Sequence, residues 1–234
     1  MTSSIPVITI DGAGGTGKGT VCHIIAEKLG WNLLDSGVLY RVLALAAEKY
    51  AVALDDEIRL HQLAVKLDIS FLITEMSHPP QIFLENHNVT HTIRTEKVGN
   101  AASKVSALGM VRTALLSRQR DFREKPGLVT DGRDMGTVVF PDAELKIFLT
   151  ATPEERARRR YNQLKDKDVD VNLVNLIEEM RERDKRDHER AIAPLRPAAD
   201  AITIATDDKS ISEVVDCIMK EVRRVFSDTL KPNV

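Results

Sequence analysis

Short apolar runs and stretches of helical period take turns along this chain. Ile5-Pro6-Val7-Ile8-Thr9-Ile10 is a compact apolar run, and beyond a glycine-rich break Val21, Ile24, Ile25 and Leu29 recur at helical spacing. The pattern predicts a strand over 5–10 and a helix over 18–29, then a short strand over 32–35 and a helix over 37–50. After a charged stretch, the runs 68–73 and 81–85 flank Ser77-His78-Pro79-Pro80 and read as a hairpin or small sheet. A helix-compatible segment extends from about Thr95 to Arg123, followed by strands at Gly127–Thr130 and Leu145–Thr150. Helices at 153–165 and 171–190, a strand at 201–205 and a helix at 210–226 complete the pattern. Two helix starts are written in local chemistry. Thr152-Pro153-Glu154-Glu155 orders a capping hydroxyl, a first-turn proline and a reciprocal glutamate, and Ser210-Ile211-Ser212-Glu213 repeats the capping box. Strands alternating with helices imply a parallel sheet covered on both faces. Residues 55–95 break the alternation and form a candidate insertion in a core made of 1–54 and 96–234.

The 234 residues can bury a sizeable core, and hydrophobic and charged fractions of 43% and 29% fit a globular protein rather than a disordered one. No apolar run approaches the ~20 residues that span a bilayer. The first residues lack the basic and apolar regions of a secretory leader, so a cytoplasmic protein without membrane contact is expected. Cys22 and Cys217 offer neither a disulfide framework nor a metal spacing and read as packing residues. A net charge of -2 and an aromatic content of 4% argue against a nucleic-acid binder, which needs phosphate-neutralising charge and stacking platforms. The basic clusters at 156–160 and 181–190 suit small anions instead.

The break after the first strand is Gly12-Ala13-Gly14-Gly15-Thr16-Gly17-Lys18-Gly19-Thr20. Glycines let successive backbone N–H groups turn inward around an anion, the following helix aims its positive end at it, and a lysine adds a full charge. With a strand before it and a helix after it, the stretch reads as a phosphate-binding P-loop rather than a flexible surface loop. In the common pattern the hydroxyl beside the lysine holds magnesium directly. Here Gly19 intervenes and the hydroxyl comes at Thr20, which suggests a metal held largely through water and nucleotide phosphates.

Two further constellations sit where an open parallel sheet binds ligands, at the carboxyl ends of strands, and a third lies on a helix. Asp35-Ser36-Gly37-Val38-Leu39-Tyr40-Arg41 could hold a second phosphate through Ser36 and Arg41, or simply cap a helix. Asp131-Gly132-Arg133-Asp134 offers a carboxylate at Asp131 to organise magnesium through water, a phosphate partner at Arg133 and a base-directed carboxylate at Asp134; a charged turn is the alternative. Arg183, Asp187 and Arg190 share one helix face beside the halt at Ala191-Ile192-Ala193-Pro194, as a site or as a solvated charged face. Arg156, Arg159 and Arg160 share a face of the preceding helix and suit a lid, about 153–170, over a donor triphosphate.

Together these motifs resemble the bacterial cytidylate kinase family, within the nucleoside monophosphate kinase group of P-loop proteins. The resemblance is carried by Lys18-Gly19-Thr20, Leu34-Asp35-Ser36-Gly37 with Tyr40-Arg41, Asn100-Ala101-Ala102-Ser103, Asp131 through Asp142, and Arg183-Asp184 through Asp187 and Arg190 to Ala193-Pro194-Leu195. It implies a three-layer α/β/α P-loop fold with a parallel central sheet, a small monophosphate-binding insert and a short lid. It implies further that Ser103, Arg112 and Asp134 surround the cytosine, that Arg41 and Arg133 hold the acceptor phosphate, and that Arg183, Asp187 and Arg190 reach sugar and phosphate. Cytosine offers an amino donor beside acceptor atoms, so a carboxylate with an arginine or hydroxyl is complementary to it, whereas uracil presents an acceptor to Asp134. One departure stands out: the family usually reads Gly-Pro-Ser-Gly where this chain has Gly12-Ala13-Gly14-Gly15, so a loop hydroxyl is missing.

The expected activity is transfer of the ATP γ-phosphoryl group to CMP or dCMP by a monomer, with Mg2+ bridging donor oxygens and Lys18 following the migrating charge. A monophosphate with a second pKa near ~6 is already an anionic nucleophile, so no general base is needed. Arg41, Arg133, Arg183 and Arg190 join Lys18 as the groups expected to manage charge. Rival readings are a P-loop kinase for another acceptor and a nucleotide switch; the chain has no Asn-Lys-x-Asp guanine motif, and its acceptor-side arginines would be surplus in a switch.

Overall fold

The fold is organised around β1 (Val7–Gly12), whose six residues are all buried. The strand alternates with the period of two expected of a pleated chain: Ile8 and Ile10 enter one apolar core and Val7 the other. In the computed structural model, which describes residues 5–72, 80–166 and 171–227, β1 lies at the centre of a five-stranded sheet. The other strands are β2 (Asn32–Asp35), β6 (Leu128–Gly132), β7 (Leu145–Thr150) and β8 (Ile202–Ala205), in the order β2-β6-β1-β7-β8. Every pairing in it is parallel.

Helices cover both faces, as a parallel sheet requires. On one face α1 (Lys18–Leu29) and α8 (Ile211–Val225) pack with Ile8, Ile10, Val129, Ile147 and Leu149. On the other, α2 (Ser36–Lys49), α3 (Glu57–Val65), α4 (Glu96–Val105) and α5 (Gly109–Arg120) share a larger core with Val7 and Leu128. A second, antiparallel sheet joins β3 (Ile69–Leu72), β4 (Gln81–Leu84) and the two-residue β5 (His87–Asn88). Ile82, Leu84, Val89 and Ile93 from this region enter the larger core rather than a core of their own. α6 (Pro153–Lys165) and α7 (Leu173–Glu189) pair through Ala157, Leu164 and Leu176.

The alternation of strand and helix is as the sequence predicts, and so is the box at Ser210, whereas at Thr152 the hydroxyl caps but Glu155 does not reciprocate, because its carboxylate pairs with Arg158 and Arg159. Thr152 accepts from the Glu155 amide, and Ser210 with Glu213 forms the reciprocal box. The differences have local causes. β1 runs to Gly12 because pairing with β6 and β7 continues through Asp11 and Gly12. The charged stretch after 54 contains α3, capped by the Asp56 carboxylate on the Arg59 amide; with only Leu60 and Ala64 buried, its apolar period is too brief to register. The segment 95–123 is two helices. Ser106 donates to the Ser103 carbonyl, and its own carbonyl, released from the helical ladder, accepts from Arg112 at 3.1 Å. A π-helical turn, Met135–Val139, follows β6, where the sequence pattern assigns no element. The turn 77–79, residue 73 and residues 167–170 of the expected lid lie outside the described residues.

Candidate active site

The phosphate loop begins at Gly12, where a Cβ would fall on the Leu149 carbonyl of the neighbouring strand, so only glycine lets β1 turn there. At its far end Gly17 stands before α1 with no capping side chain, and the first turn carries no acidic residue. The amides at that end are therefore left for an anion. Inside the loop Lys18 Nζ and Thr16 Oγ1 each donate to the Ala13 carbonyl at 3.0 Å. Burial and then the charge of Arg133 push the Lys18 ammonium down to about 7, against the pull of Asp131. Of the loop, Gly14, Gly15 and Lys18 line a cavity of about 380 Å³; Gly12, Ala13, Thr16 and Gly17 shape the loop, and Gly19 and Thr20 are exposed.

The acceptor-side arginines meet the loop at Gly14. A side chain starting there would lie 3.4 Å from Arg133 Nη2 and 3.6 Å from the Arg183 guanidinium. Arg133 spends its Nε on Asp187 at 2.8 Å, which leaves its terminal nitrogens near the loop. Arg183 Nε is buried with no protein partner, and burial together with Arg133 pushes this guanidinium down to about 10. Arg41 donates to the Ile93 carbonyl at 2.8 Å and lies across the same cavity from Ser36. Of these three arginines only Arg133 has a carboxylate partner among the described residues, Asp187, and such an excess of buried cations beside a P-loop is what a dianionic phosphate would neutralise.

At the closed end Asp134 is 3% exposed and held by two arginines, Arg112 through a short ion pair and Arg190 at 3.4 Å. Burial raises its carboxyl and the two arginines oppose the rise. Each carboxylate oxygen has two lone pairs, so Asp134 can accept from a further donor. Ser103 donates to Asp187 at 3.5 Å and accepts from Arg186 at 3.4 Å, while the Tyr40 ring lies 5.7 Å under the Arg112 guanidinium.

Asp131 stands between the two halves. Its Oδ1 is buried without a protein partner, and its Oδ2 lies 3.8 Å from where a Gly19 side chain would begin. Burial and the neighbouring Asp35 carboxylate push it up to about 8. Among the described residues no three His, Cys, Asp or Glu side chains gather as a metal cage. An orphaned carboxylate oxygen beside a phosphate loop fits a magnesium ion that takes its other ligands from phosphates and water.

The three lid arginines divide. Arg156 is buried, donates to the Gly14 carbonyl at 3.0 Å and is clamped by Asp184, so it braces the loop. Arg160 faces the cavity but pairs with Glu96 at the start of α4 and donates to the Arg94 carbonyl at 3.2 Å. Arg159 is not among the residues lining this cavity. It binds Glu155 and Thr206 instead, because the β8 end offers it a hydroxyl and a carbonyl.

A family model described as "Cytidylate kinase" matches residues 8–224. The chain belongs to the cytidylate kinase family. Its relatives include the cytidylate kinase of Pseudomonas aeruginosa strain PAO1, 58% identical over 96% of this chain and 98% of that protein. That of Stutzerimonas stutzeri is 60% identical over 95% of this chain and 97% of its own length. That of Aeromonas salmonicida is 55% identical over 97% and 98%.

Several residues of the site escape sequence reasoning. Asp184 lies one place from Arg183, and only the α6–α7 packing shows that it clamps Arg156. Glu96 looks like a first-turn helix acid until α6 brings Arg160 to it. Asp11 reads as the last residue before the loop, and nothing in the spacing reveals its partners at Met135 and Gly136.

Proposed function

We propose that this protein transfers the γ-phosphoryl group of ATP to the phosphate of CMP or dCMP, giving the nucleoside diphosphate. The observation that carries the reading is the meeting of Arg133 and Arg183 with Gly14 of the phosphate loop, while Asp134, Arg112 and Ser103 stand at the closed end of the same cavity. ATP lies with its phosphates in the loop amides and against Lys18, and the acceptor phosphate lies against Arg41, Arg133 and Arg183. The two anions repel, and that repulsion is the main obstacle to transfer. Fixed guanidinium groups in a buried site lower it and align donor with acceptor. As the bond from the γ-phosphorus to its bridging oxygen breaks and the bond to an acceptor oxygen forms, Lys18 stays with the charge.

Asp131 would hold magnesium through water, and the ion would neutralise donor oxygens. Asp134 accepts the cytosine amino group, and Arg112 donates to an acceptor on the ring. Ser103 joins them at the cytosine, and Arg183, Asp187 and Arg190 serve the sugar and phosphate. Ile93 and Arg94, from the insert, line the monophosphate side of the cavity, and α6 is read as part of the lid over the donor. The working unit is read as a monomer acting in the cytoplasm.

The test follows ADP formation from ATP and magnesium with CMP, dCMP, UMP, AMP and dTMP in turn, beside a control without acceptor. Turnover with CMP and dCMP far above the others is expected. Preference for another monophosphate would discard the base assignment, and ATP binding without transfer to any acceptor would discard the kinase reading.

A further inference from the structure

We propose that Asp11 is a positioning residue for acceptor recognition, its carboxylate tying the strand that carries the phosphate loop to the turn that carries Arg133 and Asp134. The inference rests on the reading of those two residues as acceptor contacts. Asp11 lies on the face of β1 that Val7 and Thr9 share, and it is 4% exposed. A carboxylate so placed is costly unless its oxygens are occupied. Both are: Oδ1 accepts from the Met135 amide at 2.9 Å and Oδ2 from the Gly136 amide at 2.8 Å.

Those are the first amides of the π-helical turn, directly after Asp134, whose own side chain caps nothing. The opening amides of a helical turn have no partners within it. Asp11 supplies them from across the sheet, through charge-assisted hydrogen bonds. Gly136 makes the approach possible, since a Cβ there would lie 2.8 Å from Thr9 Oγ1. The turn is thus pressed against β1 with Asp134 at its leading edge.

The backbone of Asp11 is held separately, by pairing in register with Gly132 of β6 and Phe148 of β7. Loss of the side chain therefore frees the 133–136 turn and leaves the strand and its phosphate loop in place. A merely structural carboxylate would weaken both substrates alike. A positioning carboxylate weakens CMP and spares ATP.

Two variants address the joint from opposite sides. Asp11→Asn keeps the shape but turns one acceptor into a donor facing an N–H, and Gly136→Ala pushes the turn off Thr9. For each, folding is checked by circular dichroism, kcat/KM is measured for CMP and UMP, and ATP affinity is measured by direct titration. A displacement on the order of 1 Å costs about 10²-fold in such a site. The expected result is a fall of about 10- to 100-fold in kcat/KM for CMP and a narrowed CMP-over-UMP preference, with ATP affinity changed less than about twofold. Equal losses for CMP and ATP, or CMP kinetics unchanged in either folded variant, would overturn the inference. If Asp11→Asn does not fold, Gly136→Ala decides alone. Should the wild-type protein prove not to use CMP, the functional reading falls, and amide exchange at Met135 and Gly136 then tests the tie by itself. Exchange at least about tenfold faster in Asp11→Asn is expected, and unchanged protection would overturn the inference.

Discussion

At the scale of single residues, the site concentrates charge where water cannot moderate it. Lys18 is the phosphate loop's cationic side chain, so Lys18→Ala is expected to lower turnover by about 10²- to 10³-fold while the fold persists. Steady-state ADP formation beside a circular dichroism spectrum checks both halves of that statement. Asp134 neutralises two buried arginines as well as lining the cavity. Its replacement by alanine should destabilise the protein by about 3–5 kcal/mol, measured by urea unfolding, because Arg112 and Arg190 would be left buried together. Asp11 brings a pH dependence. Burial, opposed by the Gly136 and Met135 amides, pushes its carboxyl up to about 6 from an ordinary 3.8. Between those values the folded protein holds a proton that the unfolded chain has released. Its contribution to stability therefore falls as pH rises through that window and is level above it. Unfolding of wild type and Asp11→Asn across the window should show the wild-type advantage shrinking by about 3 kcal/mol as pH rises.

At the scale of elements, helix ends decide much of the geometry. α1 has no capping side chain and offers its amides to a ligand, whereas α8 closes its own end with the Ser210–Glu213 box. α8 buries Val214, Val215, Ile218 and Val222 beneath the sheet, so its start fixes a large packing face. Ser210→Ala should cost about 1 kcal/mol of unfolding free energy and leave kinase activity unchanged. A loss of activity without a loss of stability would mean that the 206–210 turn touches the donor. The gap between α4 and α5 also has consequences for the site. It aims Arg112 inward, where an unbroken helix over 95–123 would not free the Ser106 carbonyl that holds it.

At the scale of the whole molecule, strands and helices from both halves of the chain converge on one cavity whose arginines repel one another. Arg133 lowers Arg183, and Arg133 and Arg160 lower Arg41, though burial is the larger cause for each. A bound phosphate relieves that repulsion, so binding should stabilise the fold by linkage. CMP at about 100 times its Kd should add about 2.7 kcal/mol of stability. Read as a shift in Tm, the gain from CMP should exceed that from cytidine at equal concentration. An equal gain would remove phosphate recognition from the arginine cluster.

The motifs that were legible along the chain are those whose physics is local. A strand, glycines, a lysine and a helix within about twenty residues make the loop; capping boxes close over three residues; buried strands announce themselves by apolar runs. The order of Asp131, Arg133 and Asp134 at a strand end was also readable, because an open parallel sheet places ligands there. Tertiary structure decided the rest. Only the order β2-β6-β1-β7-β8 sets Asp11 beside Gly136, only the packing of α6 on α7 gives Arg156 to Asp184, and only the position of the β8 end gives Arg159 to Thr206. α3 stayed hidden because two buried residues in nine make too faint a period, although its core position is secure. Local hydrogen bonds and periodicity act over a few residues and leave a mark in spacing. Which distant charges share a buried space depends on how sheet and helices are stacked, and sequence spacing carries no record of that distance.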